Sequence, residues 1–284
     1  TIFDNKGTFA RMTPRRAMIM AIWMPAIFMA QVSHHIAFFL DDIFFPGWKN
    51  TEVKRPLFII GIPRSGTTFL HRLISEDVEN FTTLTTWEMV IAPSVIERKI
   101  LRGVGKIDAA LGGFGRKLVH KFEDKAFASV RKIHQIGLFE AEEDAIVLFP
   151  IFASIFLLFP FPFKDEMDMT ARFDELMPEE DKAAIMGFYR DCVKRHLYVH
   201  GTDRRFLSKN PAFTSKVDSL METFPDCQVL SNVRSPYQAV PSLLSFVTNS
   251  FERFDNDKRG DEWYEFMYSI VSYWYKWPLK RIPE

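Results

Sequence analysis

The chain has 284 residues, and its 36 basic and 36 acidic side chains give a formal net charge of zero. A chain of this length can bury the core of one large α/β domain, and its balanced charge argues against a general nucleic-acid-binding protein. The 47% hydrophobic content excludes a disordered chain, and the two cysteines exclude a disulfide framework and favour a reducing, cytoplasmic compartment.

The first 50 residues are predicted to form a helical segment that precedes the main domain, residues 51–284. Within this segment, Ala17 to Ala30 is apolar throughout, but it is shorter than the roughly 20 residues that a membrane-spanning helix needs. Pro25 also interrupts it. We therefore expect a helix that packs on the domain, with an interfacial membrane helix or a targeting or spanning segment as the alternatives.

The next elements alternate between strands and helices. Pro56 to Ile62 is a short, continuous apolar run, which predicts a strand covered on both faces and followed by a helix. Residues 92–145 are predicted to be mostly helical, with a break at Gly112 and Gly113. Further along, the patterns predict a helix from residue 178, strands over 205–208 and 228–233, and helices over 214–224 and 237–246. This alternation predicts an α/β fold with a mostly parallel central sheet flanked by helices, and ligands bind such sheets at the carboxyl ends of the strands.

The segment GIPRSGTT, residues 61–68, lies between the first predicted strand and its helix. Its glycines let backbone N–H groups point at an anion, and the N-terminus of the following helix adds partial positive charge. The spacing of Gly61 and Gly66 matches the phosphate loop GxxxxGK[ST], but Thr67 takes the place of the lysine that a magnesium-dependent nucleotidase requires. The segment therefore predicts a loop that binds phosphate and is poorly built to cleave a triphosphate.

Residues 63–68, PRSGTT, resemble the 5′-phosphosulfate loop P-[KR]-S-G-T-[TS] of sulfotransferases that use the donor PAPS (3′-phosphoadenosine 5′-phosphosulfate). The second signature of that family is an arginine at a strand end with a serine eight residues later, and Arg234 and Ser242 are similar to it. The segments TTLTTWEMVIAPS and IHQIGLFEAEED also resemble bacterial members of the family.

The resemblance implies a P-loop-type three-layer fold and the binding of PAPS, or of its product PAP, without a metal ion. Donor-binding residues carried over from the two motifs are Pro63, Arg64, Ser65, Gly66, Thr67, Thr68, Arg234 and Ser242. Family members usually continue with a basic, glycine-containing loop beyond the point where this sequence ends, so the C-terminal end of the domain is expected to be truncated.

Catalysis requires cations for the charge on the sulfuryl group and a base for the acceptor hydroxyl. Arg64 is expected to stabilise the sulfuryl group and the leaving phosphate. In cytosolic members of the family the base is a histidine two residues after a lysine. The comparable segment here is LSKNP, in which Pro211 stands at the histidine position and cannot accept a proton. Lys209 is expected either to assist at the sulfuryl group or to be a surface lysine.

Two residues are candidates for the base. Other branches of the family look to use a glutamate after the loop helix, and Glu88 occupies a similar place. As a base it would need partial burial that raises its pKa, and otherwise it is an exposed helix glutamate. His134 is the alternative, since imidazole is nearly neutral at pH 7. The acidic group that follows His134 is expected to be a solvated helix start, or else to orient His134 or bind an acceptor; its members are Glu140, Glu142, Glu143 and Asp144. The sequence predicts no metal site.

The acceptor is predicted to be a lipophilic alcohol or phenol, or a lipid-linked sugar. The charge-free run from Ala145 to Phe163, the apolar segment near the N-terminus and the 29 phenylalanines suggest an apolar channel or peripheral contact with a membrane; the alternative is that both runs fill the core. Two other functions stay open. A nucleotide or small-molecule kinase is disfavoured by Thr67, and a non-catalytic, membrane-associated nucleotide-binding protein is disfavoured by the complete loop. The sequence leaves the oligomeric state open.

Overall fold

The computed structural model describes residues 8–10, 13–131, 137–256 and 260–282. Its centre is a sheet of four parallel strands in the order β2-β3-β1-β4. The strands are β1 (Leu57–Gly61), β2 (Phe81–Thr82), β3 (Arg205–Lys209) and β4 (Gln228–Asn232). The prediction of a mostly parallel sheet is confirmed, and of these four strands only the two-residue β2 was not predicted.

Eleven α-helices lie in the described part of the chain. They are α1 (Pro14–Phe44), α2 (Thr67–Ser75), α3 (Thr86–Val90), α4 (Val95–Ala110), α5 (Phe114–Arg131), α6 (Lys164–Ala171), α7 (Phe173–Leu176), α8 (Glu179–His200), α9 (Val217–Thr223), α10 (Pro236–Arg253) and α11 (Asp261–Arg281). Short 3-10 helices span Pro46–Asn50, Asp144–Ile151, Ile155–Leu158 and Pro211–Ser215.

Strand β1 lies at the centre of the fold because its side chains are buried on both faces of the sheet. Phe58 and Ile60 pack in the main core with Tyr189 and Val193 of α8 and Leu220 of α9. Ile59, which points to the opposite face, is also fully buried. The continuous apolar run thus reflects helices on both sides of the sheet, as predicted.

Helix α1 is longer than the apolar stretch from Ala17 to Ala30. It spans 31 residues from Pro14 to Phe44 and continues through Pro25. Thr13 caps its N-terminus by accepting a hydrogen bond from the Arg16 backbone N–H. The expectation that Ala17 to Ala30 packs on the domain holds only in part: Met20 is buried and Trp23 packs against Phe161 and Phe254, while the other side chains of that stretch are exposed or half-buried. By length and composition alone, α1 is the one helix in the described part of the chain that could cross a membrane.

The region predicted as one helical stretch, residues 92–145, forms α4 and α5, with the expected break at Gly112 and Gly113, both of which have positive φ. From Asp144 onward the chain forms 3-10 turns rather than an α-helix. The charge-free run up to Phe163 therefore crosses the domain as short turns, in agreement with its three prolines.

Candidate functional site

The loop between β1 and α2 has a backbone that requires glycine at one position. Gly61 has φ +130°, and a Cβ atom there would lie 2.1 Å from the carbonyl oxygen of Asn232. Arg64 and Gly66 also have positive φ, +70° and +96°. Gly66 is the N-cap of α2. The predicted strand–turn–helix is confirmed, and it brings the loop to a helix N-terminus, where backbone N–H groups favour an anion.

Side chains from two other parts of the sheet edge fix this loop. Thr214 Oγ1 accepts a hydrogen bond from the Gly61 N–H and donates one to the Gly61 carbonyl, both at 2.9 Å. Asn232, at the end of β4, donates from Nδ2 to the Ser65 carbonyl at 3.0 Å. The Ser65 hydroxyl is buried and has no hydrogen-bond partner within the described residues. An unpaired buried hydroxyl in such a loop fits a site that takes oxygen atoms of a ligand.

The two sequence signatures meet in space. Arg64 donates from Nε to Ser242 Oγ at 3.0 Å, so the loop touches α10 directly. Arg234 donates from Nη1 to the Arg64 carbonyl at 3.1 Å and from Nε to Gln238 at 3.0 Å. The Tyr275 hydroxyl donates to the Arg234 carbonyl at 2.7 Å. Two guanidinium groups and a serine hydroxyl therefore lie beside the phosphate loop, which suits a ligand with more than one phosphate.

A cavity of about 660 Å³ opens beside this loop. Its polar lining includes Arg64, Thr67, Glu143 and Arg234. The rest of its wall is mostly apolar and includes Phe149, Phe156, Phe159, Phe246, Phe251 and Trp274. The run from Ala145 to Phe163 thus contributes side chains to a cavity wall, one of the two locations that the sequence indicated.

Glu143 and Lys209 form an ion pair at this cavity. Lys209 is fully buried at the end of β3 and donates from Nζ to Glu143 Oε1 at 2.8 Å, while the Glu143 side chain is 27% exposed. The alternative of a surface lysine at position 209 is therefore wrong. A carboxylate that lines the cavity and an ammonium that lies against it form an acid–base pair close to the phosphate loop.

Asp144, the neighbour of Glu143, holds this segment against helix α8 and the end of β3 by hydrogen bonds. Asp144 accepts hydrogen bonds from the Tyr189 hydroxyl at 2.5 Å and from Asn210 Nδ2 at 3.0 Å. Burial raises the pKa of Asp144 to about 6, against which these hydrogen bonds act. Since Glu142 and Asp144 are only 4% and 2% exposed, the interpretation as a solvated helix start is wrong for these two residues, whereas Glu140 is exposed.

Glu88 lies away from the cavity beside the loop. It is 1% exposed and closes a capping box with Thr85 at the start of α3. His200 Nε2 lies 2.6 Å from its Oε1, and Arg102 Nη2 lies 3.4 Å away. With these partners it lines a separate cavity of about 240 Å³, and it is absent from the lining of the larger one.

The electrostatics of Glu88 oppose the predicted role. Burial alone would raise the pKa of Glu88, but the hydrogen bond with His200 and the nearby positive charge of Arg98 outweigh it and lower that pKa far below the ordinary value. The expected upward shift is wrong, and so is the alternative of an exposed glutamate. The other candidate base, His134, lies outside the described residues.

Glu88, His196 and His200 form a group that the sequence did not indicate, since the prediction named no metal site. One ligand atom from each lies within 4.8 Å of the others, close enough to hold a metal ion. The buried guanidinium of Arg98 and that of Arg102 already supply positive charge to Glu88. We interpret the group as a charge network that connects α3, α4 and α8.

Comparisons with known proteins give one family match and two similar crystal structures. The family model described as the Sulfotransferase family matches residues 56–157 and 158–284. No curated protein matches the sequence. The crystal structure of sulfotransferase STF9 from Mycobacterium avium is similar with a TM-score of 0.70 and 17% identity, over 98% of this chain and 66% of that one.

The crystal structure of sulfotransferase STF1 from Mycobacterium tuberculosis H37Rv is similar with a TM-score of 0.57 and 18% identity, over 89% of this chain and 70% of that one. At these identities the likeness concerns the fold alone, and it confirms the P-loop-type fold that the motif implied. The chain spans just under two thirds of the length of the STF9 structure, 66%.

Proposed function

Because the chain belongs to the sulfotransferase family, we propose that it transfers a sulfuryl group from PAPS to a hydroxyl group of an acceptor. PAPS is the donor substrate and supplies the activated sulfuryl group. The observation that carries the proposal is the contact of Arg64 with Ser242 and of Arg234 with the loop backbone, at a cavity whose remaining wall is apolar.

Donor binding is assigned to the phosphate loop and to the second signature. Residues 63–68 and the N-terminus of α2 provide N–H groups, hydroxyls and the Arg64 guanidinium for the phosphosulfate. Arg234 and Ser242 are assigned to the 3′-phosphate. The missing lysine at Thr67 speaks against triphosphate cleavage, so the site needs no metal ion in this proposal.

Proton removal is assigned to Glu143 rather than to Glu88 or His134. Glu143 lines the cavity together with the loop, and its carboxylate can take the proton of an acceptor hydroxyl in that cavity. Lys209 pairs with Glu143 at 2.8 Å, and in this proposal its ammonium group stabilises negative charge that develops on the sulfuryl oxygens. Arg64 stabilises the leaving phosphate. Glu88 acts in this proposal as a structural carboxylate of the network between α3 and α8.

The acceptor is a lipophilic alcohol or phenol, or a lipid-linked sugar. The aromatic wall of the cavity supports an apolar acceptor, since a soluble sugar would favour polar lining groups. Peripheral contact with the cytoplasmic face of a membrane would supply such an acceptor, and the apolar, poorly covered helix α1 is compatible with that location.

Transfer from labelled PAPS tests the proposal. The protein is incubated with a long-chain alcohol and a soluble oligosaccharide at equal concentration, with EDTA in excess. We expect label in the long-chain alcohol and undiminished transfer with EDTA. Transfer that stops with EDTA would favour a metal-dependent phosphoryl-type enzyme. Label in the oligosaccharide would overturn the acceptor assignment. PAP binding without any transfer would favour a non-catalytic binding protein.

A further inference from the structure

The α4–α5 hairpin, residues 95–131, leaves an unusual amount of apolar surface uncovered. From Ile100 to Phe122 most of its side chains are exposed. The large apolar ones include Val104, Ile107, Leu111, Phe114, Leu118 and Phe122, which are between 56% and 79% exposed. An exposed apolar surface of this extent on a folded protein marks a contact with another molecule or with lipid.

Helix α1 extends this surface. Its exposed apolar side chains include Met18, Ile22, Phe28, Met29, Phe39 and Phe44. The two units are joined because Asp41 of α1 accepts hydrogen bonds from the backbone N–H groups of Val95 and Ile96, both at 2.8 Å. His34 of α1 also lies 2.8 Å from Glu97. We call the exposed apolar side chains of α1 and of the α4–α5 hairpin the docking surface.

The charge of the hairpin indicates which partner covers this surface. Residues 95–131 contain nine Lys or Arg and four Asp or Glu, an excess of five positive charges (9 − 4) in a chain whose net charge is zero. Lys99, Lys106, Arg116, Lys117 and Lys121 are exposed among the apolar side chains. Two copies of this hairpin would repel each other, whereas apolar side chains flanked by cations match a bilayer with anionic headgroups.

Helix α1, which carries part of the docking surface, also packs on the turn segment that lines the main cavity. Trp23 of α1 packs against Phe161 and Phe254, with ring centroids 5.9 and 5.6 Å apart. Arg16 donates hydrogen bonds to the carbonyls of Pro160 at 2.7 Å and Phe254 at 3.1 Å. Phe156 and Phe159, which line the cavity, belong to the same turn segment as Phe161. A lipid surface on α1 would thus lie next to the part of the chain that forms the acceptor side of the cavity.

We propose that the docking surface binds the headgroup region of an anionic bilayer, with the hairpin cations on the lipid phosphates and the apolar side chains among the acyl chains. The binding itself does not require the proposed activity. If that activity holds, the same contact places the enzyme on the phase in which a lipophilic acceptor is dissolved.

Vesicle sedimentation tests the inference. The full chain is mixed with vesicles of phosphatidylcholine alone and of phosphatidylcholine with phosphatidylserine, at low and high salt. We expect preferential binding to the anionic vesicles that weakens with salt. Both the pair Ile107→Gln and Phe114→Gln and the pair Lys117→Glu and Lys121→Glu should weaken that binding by about tenfold or more.

A matched control pair, Leu279→Gln and Lys280→Glu, changes exposed residues of α11 outside the docking surface and should leave vesicle binding unchanged. PAP-induced thermal stabilisation should be the same in all these variants, which separates loss of lipid binding from failure of the donor site. Absence of binding to either vesicle, or equal binding by wild type and the hairpin variants, would overturn the inference. So would a concentration-dependent dimer in light scattering that Phe114→Gln dissociates, because it would assign the surface to a second copy of the chain.

Discussion

Glu143 and Glu88 are both acidic residues of segments that resemble the same family, and only their surroundings separate them. Glu88 makes hydrogen bonds with Thr85 and His200 that occupy both carboxylate oxygens. Within the described residues the Glu143 side chain pairs with Lys209, and it lines the cavity. A proton acceptor must be accessible to its substrate, and for that reason the proposed mechanism assigns the role to Glu143.

Glu143→Gln should lower kcat by about 100-fold or more, because an amide cannot take the hydroxyl proton. PAP binding should remain near wild type, since Glu143 is not assigned to the donor. Steady-state kinetics and PAP titration check this. Glu88→Gln is the matched control, and it should lower the melting temperature while the protein that remains folded keeps most of its kcat. Wild-type turnover in Glu143→Gln would remove Glu143 from the mechanism, and the reverse pattern would restore Glu88.

His71 makes stability depend on pH. Burial and the nearby charges of Lys209 and Arg72 lower the pKa of His71 to about 3, whereas its ordinary value is 6.5. Below pH 6.5 the unfolded chain therefore binds a proton that the folded chain does not, and stability falls as the pH falls from about 6.5 toward 3. Urea unfolding of His71→Gln at several pH values measures this effect. The slope of the unfolding free energy against pH should be shallower than in the wild type by up to about 1.4 kcal/mol per pH unit in that window. His35→Gln, which changes an exposed histidine, should keep the wild-type slope.

At the scale of elements, the sequence predicted those parts of the fold that are encoded locally. The run over Pro56 to Ile62 and the glycines that follow it specify a strand and a turn without help from distant residues. The helix α11 also had a readable signal that was missed, since Trp263, Met267, Ile270, Val271 and Trp274 are its buried residues and recur at helical spacing. Strand β2 has two residues, too few for any pattern.

The pair of Glu143 and Lys209 illustrates what local patterns leave out. The two residues are 66 positions apart, and tertiary contacts bring them together, among them the hydrogen bonds of Asp144 with Tyr189 of α8 and with Asn210 after β3. Helix α1 continues through Pro25, which the sequence analysis treated as an interruption of the apolar stretch. A proline inside a helix removes one backbone hydrogen bond, and the turns on either side of Pro25 keep theirs, so the helix continues.

The phosphate loop depends on Gly61 more strictly than on Gly66. Both have positive φ, which costs a residue with a Cβ atom about 1–2 kcal/mol. At Gly61 the Cβ would also meet the Asn232 backbone at 2.1 Å, whereas at Gly66 the nearest atom is 3.7 Å away. We expect Gly66→Ala to lower the free energy of unfolding, measured in urea, by about 1–2 kcal/mol. Gly61→Ala should lower it clearly more, or should not fold. Equal losses for the two variants would contradict this account of the loop.

At the scale of the whole molecule, the net charge of the chain is zero, and positively charged side chains meet where two distant parts of the chain come together. The loop after β1 and the start of α10 are separated by roughly 170 residues, and Arg64, Arg234 and Ser242 bring them into contact. A ligand with two phosphate groups that binds both parts would connect them in the folded state only. The unfolded chain has no such site, so ligand binding adds to the stability of the complete fold.

PAP should therefore raise the melting temperature. At a concentration 100 times its Kd the expected gain is about 2.7 kcal/mol, and for a chain of this size that corresponds to a shift of about 5 °C or more. AMP, which lacks the 3′-phosphate, should give a smaller shift at the same concentration. Arg234→Ala should weaken PAP binding by roughly 1.5–3 kcal/mol through the loss of a charged hydrogen bond, and should leave the AMP shift nearly unchanged. Differential scanning fluorimetry of both proteins with both ligands measures these four shifts. Two results would contradict the donor assignment at the end of β4. One is that AMP stabilises the wild type as well as PAP does, and the other is that Arg234→Ala lowers both shifts equally. Either result would show that Arg234 does not bind the 3′-phosphate.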